Sequence, residues 1–189
     1  NGKAFIEEHF PQELAEIYGA VEAVDISLHK TKQTREASAR FQAGQLLYSP
    51  ISMNKAIAAN LSARGWRPYR VTLRSPDSTH EGFREMDGIK NKLGLEIQFG
   101  KYAFMGYDIL GKMPIFARRG LIVAGVELVP VKEIALEMSS GVSYFEQITA
   151  DLSERGAADL DVPTLVLGIG YKNPPRKSKA AERLFARPT

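Results

Sequence analysis

Three residues near the middle of the chain could carry hydrolytic chemistry: Asp87, Glu96 and Gln98. They stand in "DGIKNKLGLEIQF", where a carboxylate and an amide interrupt an apolar strand pattern. Side chains alternate faces along a strand, so Leu95, Ile97 and Phe99 share one face and Glu96 and Gln98 the other. Burying a lone carboxylate is costly unless it is paired or binds a metal. If residues 88–92 form a turn, for which Gly88 and Asn91 are suited, Asp87 returns beside Glu96 from a preceding strand. Two carboxylates so placed make a hard-oxygen site suited to Mg2+, which takes one or two carboxylates together with waters and phosphate oxygens. Such a metal can activate water for an in-line attack on phosphorus. The spacing alone is met more often by an amphipathic strand with a solvated polar face.

The elements that must position these residues follow from periodicity. "PQELAEIYGAVEAV" has apolar residues at helical spacing behind Pro11, which suits a first turn. "SPISMNKAIAANLSARGW" reads as a helix with Ser49 as N-cap, Pro50 in the first turn and Gly65 as the stop. "YRVTL" alternates like a strand, and "SPDSTHEG" is a loop. After the strand bearing Glu96 comes "YAFMGYDILGKMPIFARRG", a mostly buried helix that Pro114 kinks or divides. "LIVAGVELVPV" and "PTLVLGIG" are continuous apolar runs of the kind found in buried parallel strands. "SYFEQITADLSERGAA" is an amphipathic helix between them. Strand, helix, strand, helix, strand predicts a mainly parallel sheet with right-handed crossovers and helices on its faces. The expected architecture is one α/β domain, with helices and a hairpin added by the first half.

Composition fits a soluble globular chain of 189 residues, 44% hydrophobic and 25% charged, enough for one substantial core. No run approaches the ~18–20 apolar residues needed to span a bilayer. The opening residues lack the basic-then-apolar pattern of a secretory signal, and a chain starting at Asn1 without an initiator Met reads as processed or trimmed. The absence of Cys excludes disulfides and thiolate metal sites and fits a reducing cytoplasm. The net charge of +3 is uneven, because residues 171–189 carry six Lys or Arg against one Glu. A second cluster, "HKTKQTREASAR", holds Lys30, Lys32, Arg35 and Arg40. Such clusters suit a polyanion, since Lys and Arg release counterions from phosphates, and they equally suit a solvated surface with a disordered tail.

With those residues in view, "MDGIKNKLGLEIQFGKYAFMGYDI" resembles the catalytic segment of the BglII/BstYI group of type II restriction endonucleases, in the PD-(D/E)xK nuclease superfamily. The likeness continues through "AGVELVPVKEIALEMSSGVSYFEQ" and "VPTLVLGIG", and upstream through "AGQLLYSPISMNKAIAANLSARGW". It spans residues 1–170, is most specific over 94–107 and 125–146, and is nearest to the BstYI side of the group. It implies a restriction-endonuclease-like fold, a mixed central sheet flanked by helices over 1–170, with 171–189 as a basic extension. Asp87 matches the group's metal-binding aspartate and Glu96 its second metal-binding carboxylate. Gln98 takes the place that Lys holds in most of the superfamily, and its amide can orient water or a phosphate oxygen but cannot supply charge. The main-chain carbonyl of Ile97 is the implied third metal ligand. Lys101, Ser139 and Ser140 fall where the group contacts bases, and a lysine there can also serve a phosphate. Lys30, Lys32 and Arg35 are expected to clamp the DNA backbone.

The resemblance therefore implies a Mg2+-dependent, homodimeric enzyme of the bacterial cytoplasm. It would cut double-stranded DNA at a palindrome with a GATC core, RGATCY-like at its outer positions, leaving a 5′ overhang. The helices at 11–24 and 50–64 are the expected dimer surfaces. A structure-specific repair nuclease of the same superfamily and a catalytically inactive DNA-binding module are the alternatives. The region between "YRVTL" and Asp87 is shorter than the group's, so an auxiliary active-site residue does not align; His80, Arg84 and Glu85 are the candidates there. The group's short N-terminal strand has no counterpart. His9, His29 and His80 show no metal-ligand spacing, and Trp66 reads as core. "GIGYKN" lacks the third glycine and following helix of a dinucleotide site, so no nucleotide cofactor is expected. Ser139 and Ser140 have no nearby His and do not read as nucleophiles.

Overall fold

The computed structural model describes residues 2–35, 37, 38, 40–139, 141–156 and 160–171. It opens with α1 (Gly2–His9) and α2 (Pro11–Glu22). A 3-10 turn (Ile26–His29) and a short antiparallel pair, β1 (Lys32–Gln33) and β2 (Leu46–Leu47), lead to α3 (Pro50–Ala63). The sheet begins with β3 (Arg67–Arg74), β4 (Glu81–Lys90) and β5 (Leu93–Ile97). Then come α4 (Tyr102–Tyr107), a π turn (Asp108–Lys112) and α5 (Met113–Arg118). β6 (Ala124–Pro130), α6 (Lys132–Ala135), α7 (Phe145–Arg155) and β7 (Thr164–Ile169) complete it.

The main sheet has five strands in the order β3-β4-β5-β6-β7. β3, β4 and β5 pair antiparallel, whereas β5, β6 and β7 pair parallel. The sheet is thus evenly mixed, as the resemblance implies, and the mainly parallel arrangement expected from periodicity holds only for β5–β7. The second half behaves as its apolar runs predict, since every residue of β5 and β6 is buried. The antiparallel half was harder to read because β3 and β4 are largely exposed and held by cross-strand ion pairs, Arg70 with Glu85 at 2.6 Å and Arg74 with Glu81 at 2.8 Å.

Helices cover both faces of the sheet. One core joins Ile6, Leu14, Ile17, Met53, Ile57 and Leu61 of α1–α3 to Trp66, Leu95, Ile97, Val126 and Leu128. On the far side Met86, Met113, Phe116 and Ile122 form one cluster, and Met105, Ile109, Val129 and Ile148 another. Each fully buried large aliphatic side chain contributes about 1.5–3 kcal/mol. The entry to α3 is as expected, with the Ser49 side chain accepting from the Ser52 N–H and Pro50 in the first turn. The stretch containing Pro114 is one helical path divided by the π turn. The Met113 N–H reaches back to Asp108 O, and Pro114 has no N–H to continue the ordinary ladder. Among the described residues no helix is long and apolar enough to cross a membrane. The basic tail from Lys172 onward lies outside the described residues.

Candidate active site

The hairpin that carries Asp87 and Glu96 is tighter than expected. β4 runs on to Lys90, so the turn is Asn91–Lys92 rather than 88–92, and both turn residues have positive φ, 49° and 69°. Two positive φ values match the twist of a short hairpin, and Asn tolerates them well. The pairing ends with Gly88 opposite Leu95, the residues next to Asp87 on β4 and Glu96 on β5. Asp87 Oδ2 accepts the Ile97 N–H at 2.8 Å, so the aspartate is anchored to the backbone beside Glu96. The Ile97 carbonyl accepts from Asn54 Nδ2 of α3 at 3.3 Å. Asp87, Ile97, Asn54 and Lys55 share a cleft of about 450 Å³.

Glu96 lies deeper, at 3% exposure. Its Oε2 is 2.9 Å from Lys112 Nζ, and the same ammonium is 2.7 Å from Asp108 Oδ1. Asp108 Oδ2 accepts Gln98 Nε2 at 2.9 Å, and Gln98 Oε1 accepts the Gly100 N–H at 2.7 Å. Gln98 stands just past the end of β5, and its amide is engaged at both ends. On the other side Glu127 of β6 is in register with Glu96. Glu127 has no exposed surface, and neither of its carboxylate oxygens has a hydrogen-bond partner. Glu96 Oε1 is likewise buried and unpartnered.

Four carboxylates therefore face one ammonium. Burial pushes Glu96 up to about 9, and Asp87 and Asp108 add to the lift while Lys112 opposes it. Burial likewise raises Glu127 well above the ordinary range, with Asp108 and Glu96 reinforcing it. Asp87 is raised by the crowding around its carboxyl, opposed by the Ile97 N–H, and the effect is moderated because the residue keeps an exposed surface. Burial works against the Lys112 charge, yet Glu96 and Asp108 hold the ammonium above its ordinary value. Without a further cation, burial works against the charged forms of Glu127 and Glu96.

The donors fit a hard divalent cation. Glu96 offers a buried oxygen with no partner, beside an aspartate whose other oxygen is fixed to the Ile97 N–H. Among the described residues no three His, Asp or Glu side chains converge as metal ligands. The set suits an ion held by two carboxylates, with its other places left to water and phosphate.

Lys101, Lys30 and Lys32 lie against the 137–142 segment, next to Ser139. Lys101 is exposed, precedes α4 and bridges to Val142, while Gly100 O accepts both the N–H and the hydroxyl of Ser143. Ser139 follows α6 and is partly buried; Ser140 lies outside the described residues. Lys30 pairs with Glu137 at 2.5 Å, and Lys32 Nζ donates to Met138 O at 3.3 Å. Arg35 is exposed in the segment between β1 and β2. The three auxiliary candidates are engaged elsewhere: Glu85 with Arg70, Arg84 with Tyr107, and His80 with Thr79 in the hairpin turn.

Sequence reasoning missed Asn54, Asp108, Lys112 and Glu127. A lone Glu inside "LIVAGVELVPV" and an Asp–Lys pair four apart inside an apolar helix were available signals, because buried charges are rare unless paired. Asn54 carries no local signal.

A family model described as restriction endonuclease BglII/BglIII matches residues 1–169. Among solved structures, the crystal structure of restriction endonuclease BglII complexed with a DNA 16-mer superposes with a TM-score of 0.68 at 19% identity, covering 88% of this chain and 74% of that one. The crystal structure of free BglII gives a TM-score of 0.59 at 18% identity, with coverage of 88% and 74%. No curated protein matches by sequence.

Proposed function

The chain belongs to the restriction endonuclease BglII/BglIII family and is a type II site-specific deoxyribonuclease; from that membership we propose where and how it cuts. The reading is Mg2+-dependent cleavage of duplex DNA at a palindrome with a GATC core, RGATCY-like at the outer positions, leaving a 5′ overhang. The observation that carries the chemistry is the β4–β5 hairpin, with Gly88 opposite Leu95 and Asp87 Oδ2 accepting the Ile97 N–H at 2.8 Å, which holds Asp87 next to Glu96. These two carboxylates, with the Ile97 carbonyl, hold the metal. When bound, the metal stabilises charge at the scissile phosphate and makes water a stronger nucleophile. Asp87 stays placed through the Ile97 N–H. Asn54 meets the same carbonyl from α3 and fixes the wall of the cleft. Gln98 braces the segment that leads to Lys101, since its amide is spent on Asp108 and Gly100.

Lys101, Ser139 and Ser140 read bases, and Lys30, Lys32 and Arg35 hold the backbone. What supports this grouping is the Lys101–Val142 bridge and the ties of Lys30 and Lys32 to Glu137 and Met138. A palindrome calls for two-fold symmetry, hence a homodimer with one site per strand. α2 and α3 spend most of their apolar residues on the subunit's own core, leaving Tyr18 and Ile51 exposed, and Phe104, Tyr107 and Leu110 are exposed at three-residue spacing on α4 and the π turn. That stripe is a second candidate dimer surface beside the helices at 11–24 and 50–64.

The test is incubation of GATC-containing duplexes with Mg2+ and, separately, with Ca2+. Specific product with Mg2+ alone is the expected result. Cutting without sequence preference would favour a repair nuclease, and specific binding with no product under any divalent metal would favour an inactive binding module.

A further inference from the structure

Lys112 is a partly buried cation that the reaction as outlined does not use. Its side chain is 14% exposed, and among the described ion pairs it alone reaches Glu96 and Asp108. It stands on a π turn, a rare distortion often found at functional sites. The turn sets Asp108 and Lys112 together at one face of the helix, over the carboxylates of β5 and β6. The ammonium takes Glu96 Oε2 at 2.9 Å and leaves Oε1 buried and without a partner. One oxygen of Glu96 is thereby spent on orientation and the other is presented. Asp108 divides its carboxylate in the same way, one oxygen to Lys112 and one to Gln98.

We propose that Lys112, braced by Asp108, is a positioning residue for cleavage, setting the orientation in which Glu96 offers its free oxygen to the divalent cation. The inference depends on the reading of Asp87 and Glu96 as the metal-binding pair. Orientation and plain charge make opposite predictions for metal affinity. As a mere positive charge, Lys112 repels a divalent cation, and its removal lowers the metal concentration required. As the group that orients Glu96, its loss raises that concentration. Removing a hydrogen-bonded partner behind a metal ligand typically costs about 10–100-fold in metal affinity or activity.

The experiment compares the full chain with Lys112→Gln and Glu96→Gln on a labelled GATC duplex. One readout is kcat and KM in Mg2+. The second needs no turnover: duplex binding followed by anisotropy as Ca2+ is titrated. For Lys112→Gln the expected result is a fall in kcat of about 100-fold, KM within about threefold, and a calcium midpoint raised about tenfold. A calcium midpoint that is unchanged or lowered overturns the inference, whatever happens to kcat, and so does a wild-type kcat. An inactive Glu96→Gln beside an unaltered Lys112→Gln overturns this inference alone, whereas full cleavage by Glu96→Gln overturns the site reading beneath it. If Lys112→Gln does not fold, Lys112→Met combined with Asp108→Leu removes cation and anion together, a replacement that buried pairs often tolerate, and is judged on the same two scales.

Discussion

Replacing Glu96 with Gln should flatten the pH dependence of stability. Glu96 is raised from the ordinary 4.5 to about 9, chiefly by burial. A carboxyl raised in the folded state binds a proton that the unfolded chain has released, so stability is greatest below the unfolded value. It then declines as pH climbs through the window from 4.5 to about 9. The decline is about 1.4 kcal/mol per pH unit for one group, hence about 2.7 kcal/mol between pH 6 and pH 8. With a urea m-value of about 2 kcal/mol/M, that lowers the midpoint by ~1.3 M. The assay is urea unfolding with a chelator at both pH values. Wild-type protein should lose at least that much, and Glu96→Gln, which lacks the Glu96 carboxyl, should lose about 1.3 M less. The difference between the two isolates Glu96 from Glu127, whose raised carboxyl acts in the same direction. Equal midpoints at pH 6 and pH 8 in the wild type, or an identical drop in the variant, would refute the reasoning.

Burial disfavours the charged form of Glu127, so the near-isosteric Glu127→Gln should be as stable as the wild type or more so in urea unfolding at pH 8. A loss above about 2 kcal/mol would contradict that direction. Asn54→Ala removes one hydrogen bond at 3.3 Å and a buried, unpartnered Oδ1. Stability should stay within about 1 kcal/mol, while the cleavage rate falls about tenfold as the Ile97 carbonyl loses its support. Lys90→Met deletes contacts of 2.7 Å to both Glu16 oxygens and 2.8 Å to Arg64 O. The pair is partly solvated, so the cost should be about 2 kcal/mol, read as a melting temperature lower by about 4–8 °C.

The sequence patterns that proved readable are those whose cause is local. The Ser49–Pro50 entry of α3, the apolar runs of β6 and β7, and the return of Asp87 to Glu96 each depend on residues within a short window. β4 was legible only as one arm of a hairpin, because its outer half carries Arg84 and Glu85 where an alternating strand would bury apolar side chains. Its pairing with β3 is made by cross-strand ion pairs that periodicity does not register. The pair Asp87–Glu96 was legible because nine residues and one turn connect them. The far wall of the site was not. Asp108 and Lys112 arrive from a helix that must fold back over the sheet, and Glu127 arrives through a parallel crossover whose register no local signal sets. The engagement of Gln98 is close along the chain, to Asp108 ten residues on and to Gly100 two residues on, but no periodicity signals it.

The central claim is that this fold cuts DNA at one sequence using Asp87 and Glu96. Sequencing every fragment end from a random duplex library, treated in Mg2+ with the wild-type chain and with Asp87→Asn, tests it most directly. Wild-type ends should all derive from palindromes with a GATC core and carry 5′ overhangs, with no ends above background for Asp87→Asn. Ends that share no sequence, or the same ends from Asp87→Asn, would contradict it.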